Sequence, residues 1–222
     1  MYYLDKAKQE KFSISEAEVS QYLEINNVLK GIFWTATKLY GVTFRERTED
    51  YPQYHKQQQS WDVIDENGHL IAIFYSDFFP RDGKGAGAWC GRFRPQSYDG
   101  TMRVQPIVTN VCNMTLPAEE GGPALQTVDN VLTMFHEFGH ALHSFFRDVQ
   151  YQGTGNVERD FVELPSQINE HWAFEPEVLR QYARHYKTGE LMPQSLVDKL
   201  DASSKYGQGF ATVEYLAASY VD

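Results

Sequence analysis

With 222 residues, 42% of them hydrophobic and 14% aromatic, the chain is long and apolar enough to bury a sizeable core, which excludes a disordered segment. Its formal net charge of −10, with no extended cluster of Lys or Arg, argues against a nucleic-acid partner. The longest apolar run, Leu70 to Tyr75, is too short to span a bilayer, and residues 1–20 lack a basic start followed by an apolar stretch, so neither a membrane span nor a signal peptide is expected.

In chain order, Met1 to Phe12 reads as the end of a helix. Ser15, followed by Glu16 and Glu18, reads as an N-cap with acidic residues in the first turn. Val28 to Tyr40 places Leu29, Ile32, Phe33, Ala36 and Leu39 on one side of an amphipathic helix, with Gly41 just past its end. The period then changes. Trp61, Val63 and Ile64 precede Glu66-Asn67-Gly68, and Leu70 to Tyr75 follows, which predicts a β-hairpin. Phe79 to Gly87 is a Gly-rich loop, Ala88 to Phe93 a third strand, and Arg103 to Asn113 a fourth, interrupted by Pro106. Leu116 to Pro123 connects to an apolar helix over Val131 to Phe146, with Asp129 in its first turn. Tyr151 to Asn156 is a loop. Further helices are expected over Asp160 to Phe174, Glu175 to Tyr186, Leu196 to Leu200 and Phe210 to Tyr220. The expected fold is therefore α+β, mainly α with a small β-sheet, in one unit over 1–222: a helical segment 1–58, a four-stranded sheet in 59–115, and helices carrying a candidate metal site in 116–222. Cys90 and Cys112 belong to no C-x-x-C pair and read as buried free thiols of a reducing cytoplasm rather than as metal ligands.

Chemistry concentrates in the Val131 to Phe146 helix, at His136-Glu137-Phe138-Gly139-His140. Residues four apart lie on one helix face, about 5–6 Å apart at Cβ, a spacing that lets two imidazoles meet one tetrahedral Zn²⁺. Glu137 sits beside them, where a carboxylate can take a proton from water that the metal activates. A catalytic zinc needs a third protein ligand. Phe146 occupies the position six residues after His140 where one class of such sites has a histidine, so that class is excluded. His143 lies a turn too far along and reads as a packing or supporting histidine. A carboxylate from the following segment remains, with Glu158, Asp160, Glu163 and Glu170 as candidates. Glu163 is flanked by apolar residues, where an unpaired carboxylate would be costly and a cation would remove the cost. Gln167 and Glu170, one and nearly two turns after Glu163, could each orient a ligand histidine through its second nitrogen. Gly87-Ala88-Trp89 is a candidate sheet edge for an extended peptide, the other reading being a core strand with a buried tryptophan. Arg81, Lys84, Arg92 and Arg94 flank it and could meet a substrate carboxylate.

His136 to His143, together with Asp160-Phe161-Val162-Glu163-Leu164-Pro165-Ser166-Gln167, resembles the thimet oligopeptidase family of zinc peptidases, and within it the peptidyl-dipeptidase (dipeptidyl carboxypeptidase) branch. Leu39 to Glu46, Gly87 to Trp89, Asn110 to Asn113, Ile168 to Trp172 and Gly209 to Ala218 extend the likeness over nearly the whole chain. The resemblance implies a zincin-like catalytic core. It selects His136, His140 and Glu163 as the ligands of one Zn²⁺ and Glu137 as catalytic base. It further implies short peptides as substrates and release of C-terminal dipeptides; the cytoplasmic setting is the one the two cysteines suggest. Family members are several times longer and carry a later Gly- and Tyr-rich segment. The chain is therefore expected to be an internal fragment of the catalytic region with incomplete machinery, which leaves a secreted or periplasmic parent open. The alternative is a non-catalytic, zinc-stabilised structural or interaction module. An intact Glu137 speaks for catalysis, since a purely structural site has no need of a base beside its ligands.

Overall fold

Helices lead the chain: α1 (Tyr2–Phe12), α2 (Glu16–Ser20) and α3 (Ile25–Tyr40). The computed structural model describes residues 2–221; Met1, expected at the head of the first helix, and Asp222 lie outside the described residues, as do the side chains of Tyr2, Leu4, Asp5, Lys8 and Gln152. Ser15 precedes α2 in extended geometry, but its side chain makes no capping bond. The Glu24 carboxylate caps α3 by accepting from the Asn26 and Asn27 amides at 3.0 and 3.2 Å. Gly41 ends α3 in the left-handed conformation, φ 70°, that favours glycine.

Seven strands follow: β1 (Thr43–Glu46), β2 (Gln59–Ile64), β3 (Leu70–Asp77), β4 (Trp89–Arg94), β5 (Ser97–Asp99), β6 (Met102–Val104) and β7 (Ile107–Val111). The β2–β3 hairpin is antiparallel and turns at Asn67-Gly68, as the sequence predicts. The main sheet has five strands rather than four, in the order β1-β2-β3-β7-β4. The added strand, β1, lies inside the stretch read as helical. Its four residues are too few to show an alternation, and pairing with β2 makes them a strand. The run expected over Arg103 to Asn113 is two strands. Pro106 has no N–H for a ladder, so β6 pairs with β5 in a separate hairpin while β7 enters the main sheet parallel to β3. β4 pairs only with β7, leaving its other side as a sheet edge, and its register shifts between Arg92 and Arg94.

The second half is helical: α4 (Val128–Phe145), α5 (Leu164–Glu170), α6 (Pro176–Tyr182), α7 (Gln194–Ser204) and α8 (Gln208–Val221). The helix expected over Asp160 to Phe174 is much shorter. Pro165 is tolerated only in a first turn, so α5 starts at Leu164. α6 stops at Tyr182 rather than Tyr186 because Ala183 leaves helical geometry and Arg184 bridges to Leu191. α8 buries none of its side chains. Among the described residues no helix is long and apolar enough to cross a membrane.

The core forms where α3 and α4 cover one face of the sheet. Phe33 stacks on Phe44 at 4.0 Å, Trp61 on its cross-strand partner Phe74 at 5.6 Å, and Phe138 and Phe145 of α4 meet Phe74 edge-on at 5.4 and 5.7 Å. Apolar residues of α4 thus face the sheet, and its histidines face away from this aromatic cluster.

A buried ionic knot closes the end of β3. The Asp77 carboxylate accepts two bonds from Arg81 (2.7 and 2.8 Å), one from the Tyr54 hydroxyl (2.7 Å) and one from Lys84 Nζ (3.0 Å). Lys84, whose side chain is only 3% exposed, also donates to the carbonyls of Asp77, Phe79 and Cys112. Arg81 and Lys84 are therefore committed to the fold and do not serve a substrate carboxylate. Burial raises the pKa of Asp77, but the bonds from Arg81, Tyr54 and Lys84 outweigh it and hold the group down at about 2. A depressed carboxylate stabilises the fold fully above its ordinary pKa and less as pH falls toward the folded value. Asp77→Asn, which strands two cations, is expected to cost about 3–5 kcal/mol at pH 7. Urea unfolding between pH 7 and pH 2 should show this deficit shrinking below about pH 4. A constant deficit across that range would rule out the ionised form as its source.

Candidate metal centre

α4 runs from Thr127, whose hydroxyl caps it by accepting from the Asn130 amide at 3.1 Å, to Phe145. His136 and His140 leave the same face, with ring centroids 5.0 Å apart. Glu163 sits at the N-cap of α5. Its Oε2 lies 3.1 Å from His136 Nε2 and 3.2 Å from His140 Nε2. Among the described residues this is the one group of three or more His, Cys, Asp or Glu side chains whose donor atoms converge as metal ligands do.

Crossing geometry brings α5 there. A Cβ at Gly139 would lie 2.6 Å from the Ser166 Cα and 2.7 Å from the Pro165 carbonyl oxygen, so the two helices meet backbone to backbone at that point. Buried Asn169 ties them further, donating to the Phe135 carbonyl at 2.6 Å. The Ser166 hydroxyl donates to Glu163 Oε2 at 2.9 Å, and this bond, opposed by partial burial and aided by His140 and His136, lowers the Glu163 pKa. Apolar surroundings do not trap Glu163. Its side chain is 50% exposed and its neighbours Phe161 and Leu164 are also open to solvent.

The donor set fits a divalent cation. His136 Nδ1 lies 2.6 Å from Glu170 Oε1, and a carboxylate can only accept, so the ring proton belongs on Nδ1. Nε2 then presents a lone pair to the Glu163 oxygen. Two acceptors at that distance repel unless a proton or a cation stands between them. With bonds of about 2.0–2.2 Å, ligand atoms around a tetrahedral zinc are roughly 3.3 Å apart, close to the separations seen here.

Glu137 is buried beside this group, and its Oε2 has no hydrogen-bond partner. Burial pushes its pKa up to about 7; His136 opposes the shift and Glu163 adds to it. Burial also lowers the pKa of His140, against the pull of Glu163.

These side chains line an open cleft of about 860 Å³ between α4 and β4. Ala88 and Trp89 line it as well; Gly87, in a left-handed conformation, lies just before the strand and outside the lining. Trp89 is 41% exposed on an edge strand, so the alternative of a buried core tryptophan is overturned. His143 lines the cleft but its ring makes no hydrogen bond among the described residues. The Gln167 side chain makes no hydrogen bond to a histidine among the described residues; it is its backbone carbonyl that meets a histidine, His171 Nδ1 at 2.9 Å. Glu170 is the residue that holds a ligand-candidate ring. Sequence reasoning missed Arg147 and the cleft-lining segment Thr154 to Val157. The one available signal for Arg147 was its place seven residues after His140, two turns along the same stripe. Cys90 and Cys112 are unpaired, and burial, with Glu137 adding, raises both thiols, Cys90 to about 12, so neither is a thiolate near neutral pH.

Peptidase family M3 matches the chain over residues 1–222. The chain is 46% identical over 225 residues to the dipeptidyl carboxypeptidase of Escherichia coli (strain K12), an alignment covering 100% of this chain and 32% of that protein. It is 39% identical over 212 residues to oligopeptidase A of Salmonella typhimurium (92% of this chain, 30% of that one). It is 35% identical over 201 residues to the thimet-like oligopeptidase of Dictyostelium discoideum (86% and 29%). The chain thus spans about a third of the length of these relatives.

Gly139→Ala is expected to push α5 off α4, costing about 1–3 kcal/mol of stability. It should also weaken zinc binding by about tenfold or more, as Glu163 moves relative to the histidines. Chelator competition and urea unfolding read the two effects. Unchanged zinc affinity would show that the crossing does not set the ligand position.

Proposed function

The chain belongs to peptidase family M3, a family of zincin-like metallopeptidases, and we propose that it carries the metal-binding core of a zinc-dependent hydrolase of short peptides. His136, His140 and Glu163 would hold one Zn²⁺. When bound, the ion supplies a Lewis acid that activates water and polarises the scissile carbonyl. Glu137 takes the proton of the attacking water and returns it to the departing amine. A pKa raised toward neutrality suits a group that must both accept and release a proton. Glu170 holds the His136 ring so that Nε2 faces Glu163, and Ser166 fixes the Glu163 carboxylate. The free edge of β4 offers its backbone N–H and C=O groups to an extended peptide, with Trp89 as a wall.

One observation carries this reading. Glu137 is a buried carboxylate with an unpartnered oxygen, in the same cleft as the converging His136, His140 and Glu163. A zinc-stabilised module without catalysis would gain nothing from that costly group. Release of C-terminal dipeptides is the finer form of the proposal, supported by the likeness to the E. coli dipeptidyl carboxypeptidase. A cytoplasmic setting accords with the two free thiols.

In the zinc-loaded protein, Glu137→Gln should lower kcat on short peptides by about 10²–10⁴-fold. Elemental analysis should find its zinc content unchanged. Wild-type turnover in this variant would refute the role of Glu137. Glu170→Ala should weaken zinc binding about 10–100-fold by chelator competition. An unaltered affinity would reduce the Glu170 contact to ordinary packing.

A further inference from the structure

The cleft has an opposite end. Beyond His140, α4 carries His143, and Arg147 follows its last turn; both line the cleft. Across from them lies β4. Cys90 and Arg92 are two apart on that strand and share a face, and both line the same cleft. Arg92 is exposed and makes no hydrogen bond or ion pair among the described residues. The three other basic residues that flank this strand are accounted for differently: Arg81 and Lys84 are bound to Asp77, and Arg94 Nε donates to the Gln105 carbonyl. Arg147 is held in place, its carbonyl accepting from Arg103 and its guanidinium lying where a Gly155 side chain would be. One acid, Asp148, lines this end, and it is drawn off by the Tyr98 hydroxyl at 2.9 Å and by Arg103 Nε at 3.6 Å. The other cleft carboxylates, Glu137 and Glu163, belong to the metal end.

We infer that Arg92, with Arg147 and His143, forms an anion-binding end of the cleft that takes a carboxylate of the bound peptide. The inference rests on the reading of the cleft as a peptide site and deepens it to a substrate class. Burial first, and Arg92 next, lower the pKa of both His143 and Arg147, so the Arg92 charge is felt at both groups. Guanidiniums lining one cleft bind carboxylates by charge-assisted, often bidentate, bonds. The reach is right for a peptide. Cys90 is close enough to Glu137 for the acid to raise its thiol, and Arg92 is two residues further along β4. Two residues of extended chain span about 7 Å, so a peptide with its reacting bond at Glu137 meets Arg92 about two residues away. The carboxylate has two sources, a free C-terminus or an acidic side chain, and both present the same chemistry to the guanidiniums.

Calorimetry on the zinc-loaded Glu137→Gln protein, which leaves the peptides uncut, tests this with two matched pairs. One pair is a short neutral peptide with a free or an amidated C-terminus. The other is an amidated peptide with Glu or Gln at each position in turn. We expect about tenfold tighter binding of the carboxylate member of at least one pair, a preference that shrinks with added salt. The pair that shows it names the source. Arg92→Gln, at an exposed position that should not perturb folding, should bring the ratio of affinities toward one, and Arg92→Lys should retain part of it. Equal affinities in both pairs, or a ratio that survives Arg92→Gln, would overturn the anion site while leaving the peptide cleft standing. Binding of no peptide at all, neutral ones included, would bring down the cleft reading and this inference with it.

Discussion

Where α4 and α5 cross, Gly139 leaves no room for even a methyl group, and the Pro165–Ser166 backbone fills the space. The rest of the metal centre follows from that contact. α5 is barely two turns long, and Glu163 and Glu170 stand at its two ends, seven residues apart. Seven residues are close to two full helical turns, so both carboxylates fall on the same side. Pressed against α4, they reach the two nitrogens of a single imidazole: Glu163 faces His136 Nε2 and Glu170 faces Nδ1. One carboxylate fixes the ring and its proton, and the other completes the candidate ligand set. A helix held even one side-chain radius further away would deliver neither.

Two buried carboxylates show how the same chain treats acids in opposite ways. Asp77 is surrounded by donors from Tyr54, Arg81 and Lys84 and is held at about 2. Glu137 has an oxygen with no donor and is pushed up to about 7. Burial acts upward on both, and the difference lies in what the fold places around them. The first acid is spent on architecture, joining the end of β3 to the loop before β4. The second is left with capacity to exchange a proton, at a site where a fully satisfied carboxylate would be inert.

What could be read from the sequence was what local periodicity encodes. The α4 helix shows its 3.6-residue stripe, and its two histidines, one turn apart, need no tertiary information to share a face. The β2–β3 hairpin announces itself through Asn67-Gly68. The third candidate ligand did not. Glu158, Asp160, Glu163 and Glu170 look alike locally, and the choice among them depends on the Gly139 crossing, a contact between distant segments that only the family resemblance could supply beforehand. The apolar neighbours cited for Glu163 were a misleading cue, because Phe161 and Leu164 are exposed. Strand β1 was lost for want of length. The insertion of β7 between β3 and β4 is a matter of topology that no single strand records. Arg81 and Lys84 looked like a substrate-facing pair in a Gly-rich loop. Asp77 is only four and seven residues away, but nothing in the pattern shows that this acid is buried or that the loop folds back onto it.

The break in register on β4 has a consequence for self-association. An exposed strand edge is a template onto which another copy of the same protein can add, and from there a growing aggregate. Here the ladder shifts between Arg92 and Arg94, and Arg-Phe-Arg occupies the far part of the strand. An incoming strand can stay in step only along the first part of β4 before it meets the irregularity and two positive charges. The edge is therefore open to a short extended segment and closed to an indefinitely propagating sheet, so the surface proposed for peptides is kept from pairing with its own kind.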